Sequence, residues 1–388
     1  MALRTAPSFE QLEKLAFTRD ADLIRRKLAD PRQVRGRGAQ SNRSGRFERE
    51  VREEFDDGWN TPEAESEPDP LKPFETIEHI EHAKSIITRN ESPDIGFDRS
   101  INAYRGCEHG CAYCFARPTH AYLGHSAGID FERDIYVKVN APDLLRQELA
   151  DRRYRPKPIA MGTNTDPYQP AERTHKLTRQ ILEVMLETRH PVTICTKSAL
   201  VVRDIDILSE LAKLGLTRVA LSITSMDHIL SRKLEPRAST PARRLEAMRL
   251  LSEAGIPTIV MAAPMIPAVN DMELERILDA AAAQGAKGAN MILMRLPGEV
   301  RDIFREWLLR NYPDRVKHTL GLVREARGGK DNDANFHTRF KGEGAYAVLL
   351  QQRLEKARDR YGLNQPLPAL RTDLFQPPRV NDRQLALF

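Results

Sequence analysis

From residue 100 onward, short apolar runs alternate with longer stretches whose apolar positions recur at helical spacing. The short runs predict strands at 101–104, 158–162, 192–196, 218–223, 257–263 and 289–294. The longer stretches predict helices at 173–188, 205–214, 241–254 and 272–284. Thr240 before Pro241 supplies a side-chain cap followed by a residue preset for the first helical turn. Gly215, Gly255 and Gly285 each stand where a left-handed residue ends the preceding helix. A further strand-like run at 135–139 and a helix at 142–152 fall between the first two strands. Regular alternation of strands and helices implies a parallel sheet covered by helices. Six such units are too few for the eight that close a TIM barrel. The expected fold is α/β, a partial and open (β/α)6 barrel.

The flanks have a different texture. Residues 9–28 carry Leu12, Leu15, Ala16, Leu23 and Leu28 at amphipathic-helix spacing. Residues 34–47 are rich in Gly and Arg and predict no regular element. Such a segment is either a solvated arm or a clamp for phosphates or acidic surface. Residues 56–73, acidic and rich in Pro, read as an extended linker. Three parts follow: an N-terminal extension at 1–73, a core barrel at 98–297, and a C-terminal helical extension at 298–388.

Composition narrows the classes. Of 388 residues, 40% are hydrophobic and 30% charged, ordinary for a water-soluble domain. Residues 1–27 mix acidic and basic side chains into the apolar ones, unlike a signal peptide. The most apolar run, 256–269, is broken by Pro257, Pro264 and Pro267 and is too short to span a bilayer. Neither a membrane partner nor export is expected, and reduced cysteines fit the cytoplasm. A net charge of +5 is a mild excess that permits an anionic partner without demanding one.

Cysteine placement changes the picture most. Cys107, Cys111 and Cys114 are three of only four cysteines and form a C-x3-C-x2-C cluster beside Gly106 and Gly110. A packed apolar face does not look like this, and four cysteines in a chain this long are no disulfide framework. A Cys3His zinc site remains a rival, with His109, His120 and His125 nearby, although no second ligand pair follows. A [4Fe–4S] cube normally takes four cysteines, so three would leave one iron open to a ligand.

With Tyr113 before the third cysteine and Phe115 after it, the motif resembles the signature of radical S-adenosylmethionine (SAM) enzymes. The resemblance implies that the three cysteines hold a [4Fe–4S] cluster whose open iron chelates SAM. It implies a 5′-deoxyadenosyl radical as the reactive species and an electron donor of the flavodoxin or ferredoxin type. Within that group, residues 98–295 resemble the spore photoproduct lyase-like branch of DNA repair lyases, most of all a bacterial subgroup without an assigned reaction. Thr163, Asn164, Thr165 and Asp166 stand where the lyase has Cys-Thr-Ser-Asp, and Lys197 and Ser222 match its contacts to the SAM carboxylate. Thr163 replaces the cysteine that donates hydrogen in the lyase, and a hydroxyl is a poor hydrogen-atom donor. Thymine-dimer reversal is therefore not carried over.

The residues themselves support part of this set. In parallel α/β folds, ligand-binding groups gather at strand C-termini. The run 162–170, with Thr163, Asn164, Thr165 and Asp166, is suited to grip a SAM amine, or else makes a polar turn. Lys197 and the hydroxyls of Ser222 and Thr224 stand at the next two strand ends. The spare thiol, Cys195, reads as a buried strand residue. At the C-terminus, Gln384, Leu385, Leu387 and Phe388 resemble the Q-L-x-L-F peptide that docks on the bacterial sliding clamp, an extended tail with apolar knobs.

Three functions stay in contention. The first is a radical SAM enzyme acting on a nucleic acid base, with Arg32, Arg35, Arg37, Arg43 and Arg46 as phosphate contacts. The second applies the same chemistry to a protein or small molecule. The third is a non-catalytic zinc-binding adaptor docking through its tail.

Overall fold

A computed structural model describes residues 36–48 and 75–378. The helix expected at 9–28, the linker at 56–73 and the tail at 384–388 lie outside the described residues. Ten strands occur among the described residues: β1 (Ile77–Glu81), β2 (Ile87–Arg89), β3 (Arg99–Ile101), β4 (Tyr104–Arg105), β5 (Asp134–Lys138), β6 (Ile159–Met161), β7 (Val192–Thr196), β8 (Thr217–Ser222), β9 (Thr258–Met265) and β10 (Gly288–Leu293). Seven form one sheet in the order β10-β9-β8-β7-β6-β3-β2. Only β2 is antiparallel to its neighbour, so six consecutive strands run parallel. The sheet does not close on itself, and the expected partial barrel is what forms.

Helices α1 (Asp130–Arg133), α2 (Ala141–Ala150), α3 (Glu172–His175), α4 (Leu177–Glu187), α5 (Ile205–Lys213), α6 (His228–Leu234), α7 (Pro241–Glu253) and α8 (Leu274–Ala283) follow in chain order. As expected, the Thr240 hydroxyl caps α7 by accepting from Arg243 N. Each crossover helix turns one stripe to the sheet. Ile181, Leu182 and Met185 of α4, and Leu208 and Leu211 of α5, are sealed in one core cluster with Ile194 and Val219. Full burial of such a side chain contributes about 1.5–3 kcal/mol. The single helix expected at 173–188 is interrupted, because Lys176 adopts φ 52° between α3 and α4.

Two features escape the alternation pattern. Strand β5 does not join the barrel; it lies between β1, parallel, and β4, antiparallel, in a separate three-stranded sheet. That small sheet brackets residues 106–133, the segment carrying the cysteines. The C-terminal helices α9 (Val300–Asn311), α10 (Val316–Glu325) and α11 (Gly344–Tyr361) complete the fold. Phe304 and Trp307 of α9 are fully buried in one apolar cluster with Cys111, Ala112 and Tyr113. Among the described residues, no helix is long and apolar enough to cross a membrane.

The Gly/Arg segment is a correction to the solvated-arm reading. Residues 37–40 are buried, with Ala39 fully enclosed. Arg37 donates to the Glu132 carbonyl at 2.6 Å, while the Gly38 and Ala39 amides donate to the Glu132 carboxylate at 3.0 and 2.8 Å. Arg43 and Arg46 pair with Glu306 and Glu299. The segment serves the protein's own interior because Glu132 and α9 present acidic partners that a linear reading cannot place beside it. Arg32 and Arg35 lie outside the described residues.

Candidate active site

Strand β4 ends at Arg105 and delivers Gly106-Cys107 directly onto the loop. Cys107 N donates to Phe131 O at 2.9 Å, Cys114 N to Cys111 O at 3.2 Å, and Ala112 N to Leu234 O at 2.9 Å. The fully buried Arg117 guanidinium donates to Cys111 O at 3.0 Å and to Ala127 and Gly128 carbonyls. The loop is thus fixed from both sides without using a cysteine side chain. Gly110 sits at φ 64°, and a Cβ there would lie 2.6 Å from a Glu132 oxygen. A Cβ on Gly38 would lie 1.7 Å from Gly110 O, so backbone meets backbone and only glycine fits.

All three cysteines are free thiols; Cys107 and Cys111 are buried and Cys114 is partly exposed. Burial pushes the Cys111 thiol up to about 12, with Glu235 adding to the rise and Lys197 opposing it. Burial, then Asp166, raises Cys107 in the same direction. Such thiols give up their protons only to a strong local positive charge, which a metal or cluster provides. Three soft donors on one rigid loop fit a [4Fe–4S] cluster. His109 turns to Asp166 (Nδ1–Oδ2, 3.3 Å), and His120 and His125 pack together against Phe131 and Tyr136.

The strand-end residues divide. Asp166, expected to grip SAM, is a largely buried hub of internal hydrogen bonds. It accepts from Thr196 Oγ1 at 2.7 Å, Lys197 N at 2.8 Å and Tyr168 N at 2.9 Å, besides His109. Burial alone would raise its pKa, but His109 and these donors hold it at about 2. Thr224 is likewise spent internally: its hydroxyl donates to Glu235 at 2.5 Å and approaches Tyr113 Oη at 3.1 Å. Ser222 donates to Ala263 O at 3.1 Å. The Tyr113 hydroxyl donates to Glu235, which also pairs with Arg244, and all three side chains are buried. Phe115 points outward at 57% exposure.

Of the remaining strand-end residues, Asn164 is exposed and Lys197 is partly exposed, whereas Thr165 is buried. The Lys197 ammonium stands 5.9 Å from the Tyr113 ring centroid and has no hydrogen-bond or ion-pair partner among the described residues. Burial works against its charge, yet Cys111, Glu235 and Cys195 outweigh that and raise its pKa. Thr165 accepts from Gln169 Nε2 at 2.9 Å. Cys195 corrects its expectation too. Val192, Ile194 and Thr196 take the sealed face of β7, which leaves Cys195 partly exposed on the other.

Sequence reasoning missed the positioning residues. Asn102 Oδ1 accepts from Asn164 N at 3.0 Å, and its Nδ2 donates to Thr163 Oγ1 at 3.1 Å. Gln169, fully buried, joins the cysteine loop to the β6 loop by accepting from Glu108 N at 3.0 Å. Gln169 lies in the polar run already singled out; Asn102, Glu132, Glu235 and Arg244 carry no spacing signal.

Residues 101–281 match the radical SAM superfamily. An uncharacterized protein of Mycobacterium tuberculosis (strain H37Rv) is 38% identical over 230 residues, which span 59% of this chain and 68% of the relative. The chain belongs to the radical SAM superfamily. Its cofactors are accordingly a [4Fe–4S] cluster and SAM, and it is an enzyme. An uncharacterized protein of Methanocaldococcus jannaschii is 32% identical over 191 residues, 49% of this chain and 68% of that relative. Among solved structures, spore photoproduct lyase with its dinucleoside spore photoproduct aligns at TM-score 0.53 and 18% identity, over 73% of this chain and 79% of the lyase. This radical SAM protein shares the lyase fold.

Proposed function

We propose that this radical SAM enzyme acts on a nucleic acid base, with Cys107, Cys111 and Cys114 holding the cluster. When bound, the cluster supplies one-electron reductive cleavage of SAM and, from it, a radical able to take hydrogen from a C–H bond. Lys197 supplies a fixed positive charge for the SAM carboxylate, and Asn164 and Thr165 supply polar groups at the neighbouring strand end. The rigid loop and the α9 plug exclude water from the inner side of the cysteines.

The observation that carries the substrate class is a set of exposed aromatic residues on the cysteine segment. Phe115 is 57% exposed and Tyr122 71%. Phe47 lies against Tyr122 with ring centroids 5.3 Å apart, and the Arg46 guanidinium stands 5.6 Å from the Phe47 ring. Exposed rings suit stacked bases, and base stacking contributes about 1–3 kcal/mol per base. The fold shared with a lyase that binds a dinucleoside photoproduct supports the same reading. A protein or small-molecule substrate has no comparable observation behind it.

The test is anaerobic reconstitution, reduction with SAM, and assay of 5′-deoxyadenosine with and without single-stranded oligonucleotide. Wild type is expected to form it, faster with oligonucleotide, and a variant with all three cysteines changed to Ala to form none. Phe115→Ala and Tyr122→Ala should weaken oligonucleotide binding about 5- to 150-fold each while SAM cleavage without oligonucleotide persists. Salt-independent or absent oligonucleotide binding would refute the substrate class and leave the superfamily chemistry intact.

A further inference from the structure

A second group of ligating side chains lies behind the cysteine loop. One donor atom from each of His125, Asp130 and Asp134 falls within 4.8 Å of the others. Asp130 and Asp134 are buried, and His125 is partly exposed. Beside them stands His120, fully buried, with neither ring nitrogen hydrogen-bonded among the described residues. Its ring centroid is 5.4 Å from that of His125.

We propose that His120, His125, Asp130 and Asp134 form a second metal centre for a divalent ion of the zinc(II) type. Two imidazoles with two carboxylates are a nitrogen–oxygen donor set that suits such an ion. Zinc bonds of about 2.0–2.2 Å require the donors to draw inward from this spacing. The surroundings orient these ligands. Asp130 accepts from Ser126 N at 3.0 Å and Asn42 Nδ2 at 2.6 Å, and His125 Nε2 lies 2.7 Å from Tyr136 Oη. That contact leaves His125 Nδ1 on the Asp130 side, 3.9 Å from Oδ2. His79 Nε2 lies 2.9 Å from Asp134 Oδ1, and Arg133 Nε is 3.9 Å from the other Asp134 oxygen. Half-exposed His79 and partly exposed His125 mark the side from which an ion enters.

The site uses none of the cysteines, yet it abuts their loop. A Cβ on Gly106, the residue before Cys107, would lie 3.1 Å from His120 Cε1 and 3.0 Å from Asp134 O. Through Asn42 it also reaches the Gly/Arg segment. An ion here would tie three things together: that segment, the start of β5 and the base of the cysteine loop. The inference is independent of the substrate class proposed above.

The experiment uses the anaerobically purified full chain with its cluster intact, stripped of loose metal by chelator and then titrated with Zn²⁺ alone. We expect one tightly held zinc per chain, counted by elemental analysis against cluster iron. His125→Ala and Asp130→Asn are expected to weaken zinc binding at least tenfold, at unchanged iron and sulfide content. Zinc-edge X-ray absorption on the wild type is a second readout that does not depend on the variants folding. A shell of nitrogen and oxygen with imidazole scattering supports the site. Sulfur in that shell, or no zinc retained at micromolar free metal, overturns it.

Discussion

Glu132 provides the sharpest test of how the cysteine loop is held. Its buried carboxylate accepts from the Gly38 and Ala39 amides and pairs with buried Arg117, while its carbonyl accepts from Arg37. In Glu132→Ala, the arm loses two hydrogen bonds to a charged acceptor, each contributing about 1.5–3 kcal/mol. Local opening of residues 36–46 should then rise roughly 10²- to 10⁴-fold, from about 1.4 kcal/mol per factor of ten. Arg117 keeps its three carbonyl contacts but loses its carboxylate, which should cost about 3–5 kcal/mol of global stability. The assay is limited trypsin digestion under native conditions, following cleavage after Arg43 by mass spectrometry, beside urea unfolding of the same samples. Cleavage reports the open population when reclosing outpaces the protease. Glu132→Gln, which retains one carbonyl oxygen, should fall between wild type and Ala. The reasoning fails if cleavage after Arg43 stays near the wild-type rate, or rises only in step with global unfolding.

Two further outcomes follow from other parts of the chain. Asp166 has its pKa depressed from 3.8 to about 2, so its contribution to folding is present above the unfolded value and is lost as pH falls through the folded one. Asp166→Asn should cost about 2 kcal/mol at pH 7, and the gap to wild type in urea unfolding should shrink by roughly half near pH 3. A gap that is constant with pH would show that the carboxylate's charge is not what stabilises the hub. For the C-terminal peptide, we propose docking on the bacterial sliding clamp. Deletion of residues 384–388 should abolish co-elution with the clamp at unchanged cluster content, and persistent co-elution would remove that partner.

Much of the barrel was legible because its cause is local. Apolar runs such as 192–196 and 257–263 can only be strands between amphipathic segments, and repeated crossovers leave a parallel sheet as the outcome. The cysteine motif was legible for a related reason, since ligand spacing on one short loop is written in consecutive residues. Strand-end polarity was a weaker guide. It singled out the run containing Asp166 and Gln169, yet could not tell a ligand contact from a hub. A carboxylate facing a ligand and one accepting four internal donors look the same in one dimension.

What the sequence determined by itself was the set of short-range decisions: which segments form strands, where helices begin, and which loop carries three thiols. Tertiary structure alone decided which charges meet. It folded Arg37 and Gly38 onto Glu132, set Glu235 against Arg244 beneath Tyr113, and gathered His120 and His125 with Asp130 and Asp134 behind the cysteine loop. Secondary structure follows from backbone sterics and periodic burial, which act over a few residues. Pairing of buried polar groups depends on distances across elements far apart in the chain, and those distances exist only once the sheet, the small β4–β5–β1 layer and α9 have packed together.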